Sequence, residues 1–465
     1  MIARAQILQT LTTSKLLVIA AVVHLIITTS VYAIGRLGIY QGADRSGCVI
    51  ALSPDSATNL SEANSLADLL VQSGPVSWWE ATANLHVKLY SLTLALLRSL
   101  LGVNILSVEP INLLSYLAIL WLALKLGEEL FDRKVGLLAA ATIALWPSWL
   151  LHTTQLLKDQ VFITGLLILV LIMACWLTRN FSWRTGLTTA IAGGAASYMI
   201  SLTRSGFWGV LMLAIVLIGT SLLVIRQIRE RQILFGNVMS AILIAMVTSA
   251  IFFRAPEKLA DSIVFAPAPV VSPTPAVAAP AVPPVASQPR RLVQTLRSRG
   301  EFAAQRLSLM RKGFLYLNMN SGSDIDANVE FATPMDVVRY LPRATEIGFL
   351  APFPNQWFKS GKIVGMTGRL LSGLEMAALY IFEILALIGL WRSRSKLRVW
   401  LLFFVCAAGV VPLALAVINL GALYRFRYGF FILVIILGAH GLMNLLAQWQ
   451  LRKPETKGTP VRLTS

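Results

Sequence analysis

The residues that could do chemistry gather in a few short stretches. SPDSATNLSEANSLADLL carries Asp55 where a helix would begin: Ser53 suits the N-cap, Pro54 the first helical position and Asp55 the first turn. Leu60, Ala63, Leu66, Ala67 and Leu70 then share one helical face. An acid so placed complements the helix dipole and need do nothing more. LHTTQLLKDQ puts His152, Lys158 and Asp159 at another helix start, where a Lys–Asp pair would serve as cap and interfacial anchor. INLGALYRFRYGFF places Tyr424, Arg425 and Arg427 in a very short turn, and SLTRSG places Arg204 in a second. Such arginines either belong to an aromatic belt or await a phosphate, which a guanidinium grips through paired hydrogen bonds. His86, in LHVKLYSL beside Tyr90, could line a site of this kind.

The elements that must position these residues follow from composition. Of 465 residues, 56% are hydrophobic and only 13% charged, with a mean hydropathy of +0.70. A soluble domain carries roughly 25% charged residues, so this chain lacks the polar surface that water requires. Its apolar residues come in runs of about 20, the length that crosses a hydrocarbon core, and there the backbone can satisfy itself only as helix. The expected class is an all-α polytopic membrane protein with about ten transmembrane helices and external amphipathic or interfacial helices. The spans fall near 16–34, 108–126, 136–153, 160–178, 186–203, 206–225, 233–253, 372–391, 399–417 and 429–448. The first run has no convincing cleavage site and reads as a retained span.

Basic clusters give the orientation. Arg133 and Lys134, Arg179 and Arg184, Arg226 with Arg229 and Arg231, Arg392 through Arg398, and Arg452 with Lys453 all fall on one side. That side should be cytoplasmic and hold both termini. The opposite side receives 35–107 and 254–371. The chain therefore divides into an N-terminal transmembrane module (1–253) with the external loop 35–107, an external region (254–371), and C-terminal helices with a tail (372–465). Within 254–371, the Pro/Ala-rich stretch 266–289 reads as an extended tether. Arg291 to Leu317 reads as a basic amphipathic helix, and Tyr340 to Phe358 as an interfacial or re-entrant segment.

Several classes are excluded. The net charge of +18 sits mostly in orientation clusters, so no nucleic-acid partner is expected. Cys48, Cys175 and Cys406 form neither a disulfide framework nor a metal site. No histidine pair has metal-ligand spacing, and no glycine-rich phosphate loop or nucleophile elbow is present. His24 and His440, within spans, suit helix-to-helix hydrogen bonds.

SPDSATNLSEA with Asp55, the stretch LHVKLYSLTLALLRSLLG, the run GEELFDRKVGLLAAATIALWPSWLLHTTQLLKDQVF and the terminal LYRFRYGFFILVIILGAHGL follow one another in a familiar order. That order resembles the GT-C superfamily of membrane glycosyltransferases, in particular bacterial relatives of protein O-mannosyltransferases and aminoarabinose transferases. The likeness spans roughly 50–180 and, more loosely, 415–445. It implies a GT-C-like fold in a bacterial inner membrane and a lipid-linked sugar donor, with a glycan, lipid or protein as acceptor. By the same likeness Lys158 and Asp159 face one cavity with Asp55. Asp55 would take the proton of the acceptor hydroxyl, while Arg425, Arg427, Arg204 or Lys158 would meet the charge on the departing phosphate. The likeness fixes no cofactor and leaves a divalent metal open, since some members of the superfamily use one, although one or two carboxylates make a poor cage. The alternatives are a polysaccharide polymerase or O-antigen ligase, a lipid or solute transporter with ionisable residues in mid-span, and a non-catalytic scaffold.

Overall fold

The computed structural model describes residues 12–39, 55–204, 207–254, 288–317, 322–358 and 365–451. Cys48, Ser53, Pro54, the Pro/Ala-rich stretch as far as residue 287 and the basic tail from Arg452 lie outside them. The described residues are almost wholly helical, and the chain is an all-α polytopic membrane protein.

Helix α1 (Thr13–Leu37) starts on Thr12, whose hydroxyl accepts from the Lys15 amide at 3.3 Å. Next come α2 (Asp55–Glu80) and α3 (Leu85–Leu101), packed on each other. α2 is two helices in series, because Gly74 takes φ 84° and Pro75 follows it with no amide to donate. α4 (Ile105–Leu130) is capped by Asn104, which accepts from the Leu106 amide at 2.9 Å. α5 (Arg133–Ala144) is capped by Asp132 in the same way, onto Val135. α6 (Pro147–Thr153), α7 (Asp159–Thr178), α8 (Trp183–Thr203), α9 (Phe207–Glu230) and α10 (Phe235–Arg254) complete the first half. The second half has α11 (Gln288–Leu317), α12 (Pro334–Leu350), α13 (Gly365–Arg392), α14 (Leu397–Ala416), α15 (Leu420–Phe426) and α16 (Tyr428–Leu451).

Seven of these helices, α1, α4, α7, α9, α13, α14 and α16, are long and apolar enough to cross a membrane, and the pair α5–α6 makes an eighth if it is one span. The segments expected near 186–203 and 233–253 are helices too. α8 falls short in hydropathy because TTAIAGGAAS fills its centre with small and hydroxylated residues, and the apolar part of α10 is shorter, Phe235–Ile251. The span expected over 136–153 is broken. Pro147 forces Trp146 into extended backbone, and the chain turns by 70° between α5 and α6.

Lipid provides no hydrophobic drive between helices, so close packing of small residues takes over. Along the α13–α16 seam a Cβ on Gly389 would stand 2.8 Å from the Leu437 carbonyl, and one on Gly441 would collide with the Leu385 carbonyl. α4 lies at the centre of the other half, against α1, α3, α5 and α7. The basic stretch over 291–317 lies within α11, and α12 opens with a capping box between Thr333 and Asp336. The segment from α11 to α12 is tied to the C-terminal helices. The Ile325 amide donates to the Ile418 carbonyl and the Leu420 amide to the Ser323 carbonyl, each at 3.0 Å. Arg311 adds a bond to the Leu415 carbonyl at 2.9 Å.

Candidate active site

The start of α7, the end of α8, the first turn of α2 and the end of α15 meet at one end of the bundle. Helix direction sets this end apart from the one holding Arg179 and the basic run after α13, since each span runs from one to the other.

Lys158 and Asp159 owe their position to the non-helical stretch between α6 and α7, whose backbone polar groups need partners away from water. The surrounding side chains provide them. Ser56 accepts from the Leu156 amide at 3.1 Å, and Asn59 donates to the Leu156 carbonyl at 2.6 Å. Asn112 donates to the Thr154 carbonyl at 3.0 Å and Gln160 to the Thr153 carbonyl at 2.8 Å. Tyr90 donates to the Leu157 carbonyl at 3.3 Å and to Asn112 Oδ1 at 3.0 Å. His24 bridges Thr153, at 3.1 Å, to Glu109, at 2.8 Å, so the helix-to-helix bond expected of it is made by a carboxylate and a hydroxyl. Tyr90, singled out from sequence as a candidate for the site, is spent on this scaffold.

On that support sits a chain of charges. Asp159 is paired with Arg204, and both side chains are nearly inaccessible. Arg425 Nε lies 3.2 Å from Asp159 Oδ2. That contact is one of charge alone, since neither atom has a hydrogen-bond partner among the described residues. The other arm of Arg425 donates to Asp55 Oδ2 at 2.7 Å. Arg425 therefore bridges two carboxylates of different exposure: the Asp159 side chain is 5% accessible and that of Asp55 54%. Arg204 is caged by rings, with its guanidinium carbon 4.2 Å from Trp208, 4.4 Å from Phe426 and 5.1 Å from Phe162. The ammonium of Lys158, half-buried beside them, makes no ion pair or hydrogen bond with a described residue.

The electrostatics follow from this crowding. His86 is buried with Nδ1 unpartnered, and burial, reinforced by Lys158 and Arg204 against the pull of Asp159 and Asp55, lowers its pKa to about 4. Burial also lowers the Lys158 pKa, with Arg204 and Arg425 adding to it and the two aspartates opposing. Burial alone would lower the Arg425 pKa, but Asp159 and Asp55 outweigh it and raise it.

The structure thus brings together Asp55, Asp159, Lys158, Arg204, Arg425 and His86. It directs Arg427 and Tyr424 elsewhere. Arg427 is fully buried and donates to the carbonyls of Gly348, at 2.6 Å, and Ala351, satisfying the end of α12. Tyr424 donates to Glu375, whose other oxygen accepts the Ser148 amide. Sequence reasoning passed over the aromatic cage of Arg204, although Trp208, four residues beyond it in the chain, was the available signal. His152, from the same stretch as Lys158, lies edge-on to Tyr428 with centroids 5.5 Å apart.

Neither a protein-family model nor a curated protein matches the chain. Among solved structures, ArnT from Cupriavidus metallidurans bound to undecaprenyl phosphate is similar over 92% of this chain and 79% of that one, with 12% identity and a TM-score of 0.34. A likeness so distant decides no activity.

The chemistry open to the cluster is bounded by its charges. Three cations face two carboxylates, so with His86 neutral one positive charge is left for a ligand. Among the described residues no three His, Cys, Asp or Glu side chains converge as metal ligands. Both carboxylates are already engaged by arginine, a donor set ill suited to a divalent cation.

Proposed function

We propose that the protein is a GT-C-like membrane glycosyltransferase that moves a sugar from a polyprenyl-phosphate donor to an acceptor hydroxyl on the extracytoplasmic face. The observation that carries this reading is the bridge through Arg425, which holds an accessible carboxylate, Asp55, against an excess of positive charge.

Asp55 takes the proton of the acceptor hydroxyl as that oxygen bonds to the anomeric carbon. The bond from that carbon to the donor phosphate breaks, and its electron pair stays on the phosphate oxygen. A single displacement of this kind inverts the sugar carbon. The departing polyprenyl phosphate gains a negative charge, which Arg425 and Lys158 meet. Being ionised already, that leaving group needs no strong general acid. Asp159 cannot serve as the base, because it is buried and committed to Arg204 and Arg425. It holds the two guanidinium groups in place. Arg204, enclosed by rings, sets the field and the position of Asp159. His86, neutral, can accept or donate one hydrogen bond to a sugar hydroxyl without adding charge.

A positioned base contributes typically 10²–10⁴-fold. Asp55→Asn at matched protein level should therefore lower transfer by about that factor, scored as cell-surface glycan and as polyprenyl phosphate released by protein in vesicles. Unchanged transfer in both Asp55→Asn and Asp55→Ala would remove Asp55 as the base. A polymerase or ligase would keep its activity in both variants and lean instead on arginines of later loops.

A further inference from the structure

The end of the bundle away from Asp55 has a feature that the transfer reaction does not use. A cavity of about 610 Å³ lies between the last turns of α13, the start of α14 and α16. Its wall is Ile384, Leu387, Ile388, Trp391, Trp400 and Leu445, and Arg392 and Arg394 stand at its mouth. The four α13 residues recur at i, i+3, i+4 and i+7, one stripe along the helix. That stripe is turned outward: Ile384 is 59% accessible, Leu387 60% and Trp391 69%. From Tyr428, near the charged cluster, to Leu445 the helix rises about 25 Å, close to the thickness of a hydrocarbon core. The mouth therefore falls at the opposite membrane–water boundary, where tryptophan and arginine are favoured.

The charge there is uncompensated. RSRSKLR (392–398) holds four cations and no acid, and none of the four makes an ion pair with a described residue. The rim is ordered by its own contacts. Arg394 stacks over Trp391 at 4.5 Å, Trp400 donates to the Arg394 carbonyl at 2.8 Å, and Arg229 reaches the Ser395 carbonyl at 3.5 Å.

We infer that this groove seats one anionic phospholipid, with its phosphate against Arg392 and Arg394 and an acyl chain along the Ile384–Trp391 stripe. A lipid fits because the groove opens sideways into the apolar belt, where a peptide or nucleic acid would leave its backbone groups without partners. An anionic headgroup fits because a zwitterionic one would bring its own cation to a mouth already lined with arginine.

The test is native mass spectrometry of the full-length protein, titrated in detergent with phosphatidylglycerol and, separately, with phosphatidylcholine. The wild type should retain phosphatidylglycerol preferentially. The double variant Arg392→Gln/Arg394→Gln should lower that preference by about tenfold or more, as expected for two basic groups removed from an anionic surface. Leu445→Trp, which fills the groove without changing charge, should lower retention of phosphatidylglycerol as well. Arg133→Gln/Lys134→Gln, a basic pair at the same end that does not line the cavity, should leave it unchanged. Equal retention of the two lipids by the wild type would overturn the inference. So would retention that survives both groove variants, or that is lost as fully in the control pair. Should the double arginine variant fail to fold, Leu445→Trp and the wild-type comparison still decide.

Discussion

Arg425 and Arg427 stand on either side of Phe426 and end in opposite surroundings. Arg425 lies between two carboxylates, one open to solvent, while Arg427 lies among backbone carbonyls at the end of α12, fully buried. A guanidinium facing carboxylates keeps a charge that a ligand can compete for. One facing carbonyls has its terminal nitrogens used by dipoles that no ligand will displace. The type of residue was the same in both cases; the partner decided between a candidate site and a scaffold.

The largest effect that sharpens this contrast falls on the buried half of the charge chain. Asp159→Asn strands Arg204 in its aromatic cage, and removing one partner of a buried pair costs about 3–5 kcal/mol. Thermal unfolding in detergent should show that loss, and Asp159→Asn/Arg204→Met should recover part of it. A double variant as unstable as the sum of its parts would mean the two residues do not act as a pair. Next comes Arg425→Gln, which should lower transfer by about 10²–10³-fold, the scale for losing one preorganised donor to a developing anion. Its unfolding temperature should suffer less than that of Asp159→Asn. Arg427→Gln should reverse the pattern. It leaves buried carbonyls without donors, at about 1–3 kcal/mol each, so stability falls while the transfer rate per folded molecule holds. Equal behaviour of the two arginine variants in both assays would erase the distinction.

The smallest effect at neutral pH concerns His86. Its folded pKa is about 4, against 6.5 for the free side chain. Between those values the unfolded chain binds a proton that the folded protein refuses, so His86 lowers stability progressively as pH falls from 6.5 towards 4. His86→Gln should flatten that part of the curve and leave pH 7 unaffected. A stability profile with the same slope in both proteins would show that His86 is not held neutral by its surroundings.

Much of this was legible in the sequence because lipid enforces simple rules. Apolar runs located the spans, and Asp55, Lys158–Asp159, Arg204 and Arg425 were conspicuous as charges at helix ends. What stayed hidden depended on contacts distant in the chain. Tyr90 next to His86 has the look of a site residue, yet its hydroxyl goes to Asn112 and the Leu157 carbonyl. Arg427 cannot be told from Arg425 without knowing that the end of α12 lies against it. His24 and Glu109 lie in separate spans, and no periodicity announces their bond. The bend before α6 could have been read from Pro147, but a hydropathy window averages across it.

The glycine seam between α13 and α16 has a mechanical meaning for the bundle. With backbones in direct contact at Gly389 and Gly441, neither helix can roll on the other without a carbonyl striking a neighbouring main chain. α13 also carries Glu375, which fastens Tyr424 and the first turn of α6. That flank is a fixed post. In the transfer proposed above, a donor passing Asp55 would displace the α2–α3 pair, which is held to the stretch between α6 and α7 by hydrogen bonds at Ser56, Asn59 and Tyr90 rather than by interlocked main chains.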